Sequence, residues 1–160
     1  MTAALIPLNQ APVSTLIEIA EQSAPYVRPR TESDYWLYGR LFSDTCKAVV
    51  DQGSVAGFIV AFRGQTNPAE IYIQDVAVAS AFRRQGIGKL LVQDVIRLAR
   101  LWAVKRVWLT SEPENHAARH TWPTMGFENF PADRQVDGVW VTADLKGPGK
   151  DRAVYALSLD

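Results

Sequence analysis

The clearest change in the hydrophobic pattern of this chain lies between residues 71 and 102. A short apolar run of β-branched residues predicts a buried central strand, and its members are Ile71, Ile73, Val76 and Val78. Further along, apolar residues recur three and four positions apart, which predicts a long helix with one apolar face. These positions are Leu91, Val95, Leu98, Ala99 and Trp102. The chain is therefore organised around a strand, a short loop and a helix.

The loop between this strand and helix contains Gly86 and Gly88. The first N–H groups of a helix have no partner within the helix, and the helix dipole adds partial positive charge there. Glycine lets a ligand approach those groups closely, so the loop is a candidate site for a phosphate or pyrophosphate. A tight turn without a ligand is the alternative. A dinucleotide fingerprint fits poorly, because it needs a third glycine and a later acidic residue.

Helices and strands alternate along the rest of the chain. Strands are predicted near residues 3–8, 47–50, 55–62, 106–110, 138–141 and 153–157. Helices are predicted to begin at Ser14, at Thr31 or Ser33, and near Asn115, and Pro123 should kink or end the last one. The order is β-α-α-β-β-β-α-β-α-β-β in an α/β (α+β) chain, and residues 1–160 form a single domain.

Composition narrows the possible partners. Hydrophobic residues make up 48% of the 160 residues, and 17 basic side chains balance 17 acidic ones. This balance argues against nucleic acid or a membrane surface as a partner. A single cysteine, Cys46, and the lack of a visible signal peptide favour a cytoplasmic location. Two histidines and one cysteine offer no zinc-ligand spacing, so no metal is expected.

Two motifs resemble those of the GNAT N-acetyltransferases. Arg83-x-x-Gly86-x-Gly88 after Val-Ala-Val is similar to the acyl-CoA loop of that superfamily. Asn115-x-x-Ala118-x-x-x-Trp122-x-x-x-Gly126-Phe127 is similar to its second motif, with tryptophan in place of the usual tyrosine. The resemblance implies the GNAT fold, a mixed central sheet of six or seven strands flanked by four helices. It also implies acetyl-CoA as cosubstrate.

The same resemblance implies a set of residues that bind acetyl-CoA. The loop amides would hold the pyrophosphate, and the strand backbone would pair with the pantetheine arm, with the Val76 N–H polarising the thioester carbonyl. The set comprises Val76, Ala77, Val78, Arg83, Arg84, Gln85, Gly86, Ile87, Gly88, Lys89, Asn115 and Trp122. Asn115 is also a candidate N-cap of the last helix. Either arginine could instead be merely solvated.

Several residues are candidates for the proton transfers. Asp75 lies within the apolar strand, where desolvation favours a general base, although it could equally pair with an arginine or hold a cationic substrate. Glu112, at the end of the next strand, is the second candidate base. Trp122 cannot donate a proton to a leaving thiolate, so Tyr72, Tyr35 or water would do so, or no acid is needed. His116 and His120 are weaker candidates.

The segment around residues 26–42 is rich in aromatic residues, and Tyr35 and Trp36 either line a substrate cavity or pack helices onto the sheet. Residues 41–46, 57–63 and 74–78 resemble diaminobutyrate acetyltransferases, although that family carries Trp-Gln where this chain has Gln74 and Asp75. Residues 70–78 and 83–87 are similar to aminoglycoside 3-N-acetyltransferases.

Both resemblances imply that the chain transfers an acetyl group from acetyl-CoA to a primary amine of a small cationic substrate. The amine would attack acetyl-CoA directly in a ternary complex. The chain would then be an acyltransferase of the GNAT type. An acetyltransferase acting on a protein lysine or N-terminus is one alternative, and a non-catalytic acyl-CoA-binding regulator is another. A homodimer is possible, because dimers are common in the superfamily.

Overall fold

The structure, a computed structural model, describes residues 2–160 and confirms the predicted α/β architecture. Nine strands are described: β1 (Ala4–Pro7), β2 (Lys47–Asp51), β3 (Ser54–Arg63), β4 (Glu70–Val78), β5 (Arg106–Ser111), β6 (Glu128–Asn129), β7 (Arg134–Val136), β8 (Val139–Val141) and β9 (Ala153–Ser158). Four α-helices accompany them: α1 (Val13–Glu21), α2 (Glu32–Leu41), α3 (Ile87–Leu101) and α4 (His116–Thr124). No helix in this part of the chain is long and apolar enough to cross a membrane.

Seven strands form one mixed sheet in the order β1-β2-β3-β4-β5-β9-β6. All neighbours are antiparallel except β4 and β5, which are parallel because α3 provides the crossover between them. The sequence pattern predicted two strands after α4, whereas the structure has four. The short β6 was missed, and β8 pairs with the equally short β7 in a separate hairpin.

Apolar residues fill both sides of the sheet. On one side α3 packs its apolar stripe, including Leu91 and Val95, against Ile59, Ile71 and other sheet residues. On the opposite side α1 and α2 cover a second cluster that contains Leu16, Tyr35, Phe58, Val60 and Ala77. The sheet is thus buried on both faces along its central strands, as expected for a sheet with helices on both sides.

A β-bulge at Gln74 changes which face the following residues occupy. Across the β3–β4 ladder, Ile73 pairs with Ala61 and Asp75 pairs with the preceding residue Val60, so Gln74 has no counterpart. Ile73 and Val76 therefore pack on the same α3 side, although they are three positions apart, an odd spacing that regular alternation would place on opposite faces. Asp75 follows Val60 onto the side covered by α1 and α2. A bulge of this kind re-aims side chains and increases the local twist.

The helix termini agree with the caps predicted from the sequence, except at the start of α1. Thr31 caps α2 in a capping box with Asp34, as one of the two predicted alternatives. Ser14 is not an N-cap, because α1 begins at Val13 after Pro12, and Ser14 lies in its first turn. Pro123 falls in the last turn of α4, which ends one residue later.

Candidate active site

The parallel strands β4 and β5 separate at one end and leave an opening in the sheet. Their pairing stops at Ile73 and Leu109, so the remaining residues of β4, 74–78, have no strand partner on that side in the described chain. A cavity of about 640 Å³ lies there, between the ends of β4 and β5 and the first turns of α3 and α4. The backbone of β4 at this edge is available to a ligand.

The glycine loop forms one wall of the cavity. Gly86 is the N-cap of α3 and has a left-handed backbone with φ of +80°, a conformation that favours glycine. No side chain caps this helix, so its first N–H groups are left for a ligand. Gly88 and Lys89 line the cavity, whereas Ile87 is buried and fixes the loop to the core. These positions suit an anion at the helix N-terminus.

The preceding residues hold this loop in place from outside the cavity. The Arg83 guanidinium donates to the Gln22 carbonyl oxygen at 2.6 Å, and the Gln22 side chain accepts the Ser80 N–H at 2.8 Å. Arg84 is exposed with a φ of +63°, and the Gln85 amide donates to the Ala81 carbonyl at 3.4 Å. Arg83 therefore ties the loop to the end of α1.

The second motif supplies the wall formed by α4. The Asn115 side chain accepts the Ala118 N–H at 3.1 Å and caps the helix, and Asn115 also lines the cavity. Trp122 lines the cavity about two turns further along and packs edge-on against Phe127, with ring centroids 5.2 Å apart. Its indole offers no acidic proton to this space. His116 and His120 are exposed and are not part of the cavity lining found in residues 2–160.

Asp75 lines the cavity in a bidentate ion pair with Arg30. Arg30 Nε donates to Oδ2 at 3.0 Å and Nη2 donates to Oδ1 at 3.1 Å, so both carboxylate oxygens are engaged. The Asp75 side chain is 5% exposed and that of Arg30 is 30% exposed. This hydrogen bonding raises the pKa of Arg30 further above its usual value. The geometry matches the interpretation of Asp75 as a carboxylate paired with an arginine.

Glu112 lines the cavity at the end of β5 and is held more loosely. Its Oε1 accepts from Arg28 at 3.2 Å and lies 3.7 Å from Arg152. The Arg28 side chain is 67% exposed, which makes that contact weak. The second oxygen of Glu112 has no hydrogen-bond partner within residues 2–160. A carboxylate oxygen is therefore free to accept a proton here.

Tyr72 reaches the cavity only through its neighbours. Its hydroxyl lies 3.1 Å from Thr110 Oγ1 and accepts from Lys146 Nζ at 2.5 Å. Lys146 also lies over the Tyr72 ring, 5.1 Å from its centroid. Thr110 and Lys146 line the cavity, but Tyr72 is outside the lining described for this chain. A proton from Tyr72 would have to pass through one of these two side chains.

The structure does not place Tyr35 and Trp36 in the cavity. Tyr35 is 1% exposed in the core, edge-on to Tyr38 and Phe58, and its hydroxyl accepts the Arg30 N–H at 3.2 Å. Burial raises the pKa of Tyr35. Trp36 is 62% exposed on the outer face of α2. On this helix, spacing alone does not distinguish a ring that packs into the core from one that lines a pocket.

Several cationic side chains of the cavity were missed by the sequence analysis. They are Arg28, Arg30, Lys146, Lys150 and Arg152. Arg28 and Arg30 lie in a loop before α2, and the other three lie in or beside the loop that leads into β9. No spacing rule connects two segments so distant in the chain, because they meet only through the three-dimensional fold. The described residues contain no cluster of metal-ligating side chains.

Comparison with known proteins decides the family. The acetyltransferase (GNAT) family profile matches residues 13–127. The chain belongs to this family. An L-2,4-diaminobutyric acid acetyltransferase from Virgibacillus pantothenticus is 32% identical over 124 residues, which cover 77% of each chain. This acetyltransferase therefore uses acetyl-CoA as its cosubstrate and transfers the acetyl group to an amine.

Solved structures share the fold of this acetyltransferase. Diaminobutyrate acetyltransferase EctA from Paenibacillus lautus, solved with L-2,4-diaminobutyric acid and coenzyme A, superposes with a TM-score of 0.74 at 23% identity. The match covers 98% of this chain and 94% of that one. Ard1 from Thermoplasma volcanium superposes with a TM-score of 0.79 at 18% identity, covering 100% and 99%. The GNAT fold predicted from the two motifs is thus confirmed.

Proposed function

We propose that this acetyltransferase acetylates a primary amine of L-2,4-diaminobutyrate or a closely related small diamino acid. The observation that carries the proposal is the charge of the cavity, where cationic side chains surround two carboxylates, Asp75 and Glu112. A substrate that bears both ammonium groups and a carboxylate complements such a site, whereas a simple polyamine would meet several like charges. The relative from Virgibacillus pantothenticus supports the same substrate.

The residues present fit acetyl-CoA. The open edge of β4 at 74–78 offers backbone groups for an extended arm, and the uncapped N-terminus of α3 offers N–H groups to phosphates. Bound acetyl-CoA supplies an activated acetyl group. Gly88, Lys89, Asn115 and Trp122 would line its path, and Val76 would present its backbone to the reacting end.

Glu112 is the better placed of the two candidate bases. The substrate ammonium must lose a proton before its nitrogen can attack, and a carboxylate with a free oxygen can accept that proton. Glu112 has such an oxygen, whereas both oxygens of Asp75 are bound to Arg30. Trp122 supplies no acid, so the thiolate leaves unassisted or takes a proton from water, or from Tyr72 through Thr110 or Lys146.

The direct test measures release of the coenzyme A thiol with a panel of amines. The panel contains 2,4-diaminobutyrate, ornithine, simple diamines, an aminoglycoside and peptides with a free N-terminus or lysine. Turnover highest with 2,4-diaminobutyrate is the expected result. Preference for a peptide would instead indicate a protein acetyltransferase, and preference for the aminoglycoside would indicate an antibiotic-modifying enzyme. No thiol release with any of these amines, while acetyl-CoA still binds, would indicate a regulator.

The role of Glu112 is tested by Glu112→Gln. This change keeps the side-chain shape but removes the proton acceptor, so kcat should fall by about 10²- to 10⁴-fold. Acetyl-CoA binding should be unchanged. Unchanged kcat in this variant would remove Glu112 as the base.

A cytoplasmic location and a homodimer also belong to the proposal, and gel filtration with light scattering tests the homodimer.

A further inference from the structure

The pairing of Arg30 with Asp75 leaves part of the guanidinium unused. A guanidinium carries five N–H donors in a planar fork. Asp75 takes one from Nε and one from Nη2, which lie along one edge of that fork. The remaining three belong to Nη1 and Nη2, at the other end, and none has a hydrogen-bond partner in residues 2–160. That end can bind a second planar carboxylate in a bidentate pair.

Burial and backbone contacts fix the position of Arg30. Asp75 is nearly buried on the central strand and cannot move without disturbing the β3–β4 ladder. The hydroxyl of the core residue Tyr35 accepts the backbone N–H of Arg30 at 3.2 Å. The next residue, Thr31, caps α2. Arg30 is therefore held at its backbone and along one edge of its guanidinium, while its side chain remains 30% exposed and lines the cavity.

The other cationic groups are less suited to a carboxylate. Arg28 and Arg152 lie beside the Glu112 carboxylate, which already neutralises part of their positive charge. Lys146 donates to the Tyr72 hydroxyl, and both Lys146 and Lys150 carry an ammonium, which is a point charge without a fork. Arg30 alone among these groups combines a fixed guanidinium with a free end in the cavity.

We infer that Arg30, positioned by Asp75, binds the carboxylate of the substrate and so selects amino acids over simple diamines. The inference rests on the proposed function. Asp75 is then a positioning residue rather than the base. Because Asp75 precedes Val76 on β4, a carboxylate at Arg30 leaves the rest of a short amino acid beside the open strand edge. This placement suits transfer to an amine a few bonds from the carboxylate.

The test compares a substrate with its decarboxylated analogue, 2,4-diaminobutyrate against 1,3-diaminopropane. Arg30→Lys keeps the charge but loses the fork, and kcat/KM for 2,4-diaminobutyrate should fall by about 10- to 100-fold, mainly through KM. The value for 1,3-diaminopropane should change little. Asp75→Asn should show the same substrate-dependent loss while keeping most of kcat. Arg40→Gln, on an exposed position of α2, is the matched control and should resemble the wild-type enzyme with both substrates.

The possible outcomes separate failure of the Arg30 inference from failure of the proposed function. Equal losses with both substrates would overturn the inference, because Arg30 would then serve only the structure. A fall in kcat for Asp75→Asn with unchanged KM, together with a lost acidic limb of the pH profile, would also overturn it and make Asp75 the base. If the wild-type enzyme acetylates both substrates equally, acetylation stands and the role of Arg30 fails. No turnover of any carboxylate-bearing amine would overturn both proposals. Melting temperatures with acetyl-CoA present check that each variant is folded.

Discussion

Gly88 provides a direct test of the loop as the acetyl-CoA site, with Gly86 as its matched control. Both glycines belong to the turn into α3, but they differ in backbone and surroundings. Gly86 has a φ of +80°, and an added Cβ there would meet no atom within 4 Å. Gly88 lies in the first turn of the helix and lines the cavity, and its added Cβ would lie 3.6 Å from Val78 Cγ2.

The two alanine variants should therefore separate stability from binding. Gly86→Ala forces a left-handed conformation that costs about 1–2 kcal/mol, which corresponds to a melting temperature lower by about 2–8 °C in a domain of this size. Gly88→Ala makes only an ordinary contact with Val78 and gains helix propensity worth up to about 1 kcal/mol, so its melting temperature should be unchanged or higher. The new methyl group would, however, occupy the space between α3 and β4.

Acetyl-CoA affinity is the deciding measurement. Overpacking at a contact costs about 1–3 kcal/mol, so Gly88→Ala should weaken acetyl-CoA binding by about tenfold or more. Gly86→Ala should bind with near wild-type affinity once folded, because Gly86, unlike Gly88, does not line the cavity and its added Cβ would meet no atom within 4 Å. Calorimetric titration of both variants and differential scanning calorimetry without ligand complete the comparison. Wild-type affinity in Gly88→Ala would refute the assignment of acetyl-CoA to this loop.

Two further predictions concern the core. Gly57→Ala would place a Cβ 2.7 Å from the Ala77 carbonyl oxygen. It should therefore lower the free energy of unfolding, measured by urea titration, by about 3 kcal/mol. An unchanged unfolding midpoint would mean that β3 and β4 can separate locally. Burial raises the pKa of Cys46 to about 11, so the native thiol should resist a thiol reagent at pH 8 and react only after unfolding. Because the folded thiol keeps its proton to higher pH than the unfolded one, stability should fall above about pH 9, and Cys46→Ala should remove that part of the pH dependence.

The local features of this fold were readable from the sequence. The β-branched run, the two glycines and the helical stripe together predicted β4, the loop and α3, and the structure has all three. Thr31 and Asn115 were recognisable as caps because their side chains act on N–H groups only a few residues away. In each case the interacting groups are close in the chain, so the spacing of residue types carries the information.

The polar side of the cavity could not be predicted in the same way. Arg30 meets Asp75 across 45 positions, and Lys146 meets Tyr72 across 74. These pairs depend on how loops cross the sheet, which no local pattern encodes. For Asp75 the sequence left two interpretations open, a general base or a carboxylate paired with an arginine, and a carboxylate in an apolar strand is costly without a partner. That partner was present but lay in a distant loop.

The bulge at Gln74 links the two halves of the site through one strand. Pairing between β4 and β5 ends at Ile73, the residue before the bulge, and the added local twist is a physical reason for the strands to separate there. The same bulge turns Asp75 onto the face where Arg30 lies and places Val76 and Val78 on the α3 side. The residue that positions the substrate-binding arginine therefore adjoins the open edge offered to acetyl-CoA. Deleting Gln74 should leave Asp75 on the Arg30 side, because Ile73 and Asp75 already pair with the consecutive residues Ala61 and Val60, but it should remove the twist that accompanies the opening, so acetyl-CoA affinity should fall more than the preference for a carboxylate-bearing substrate.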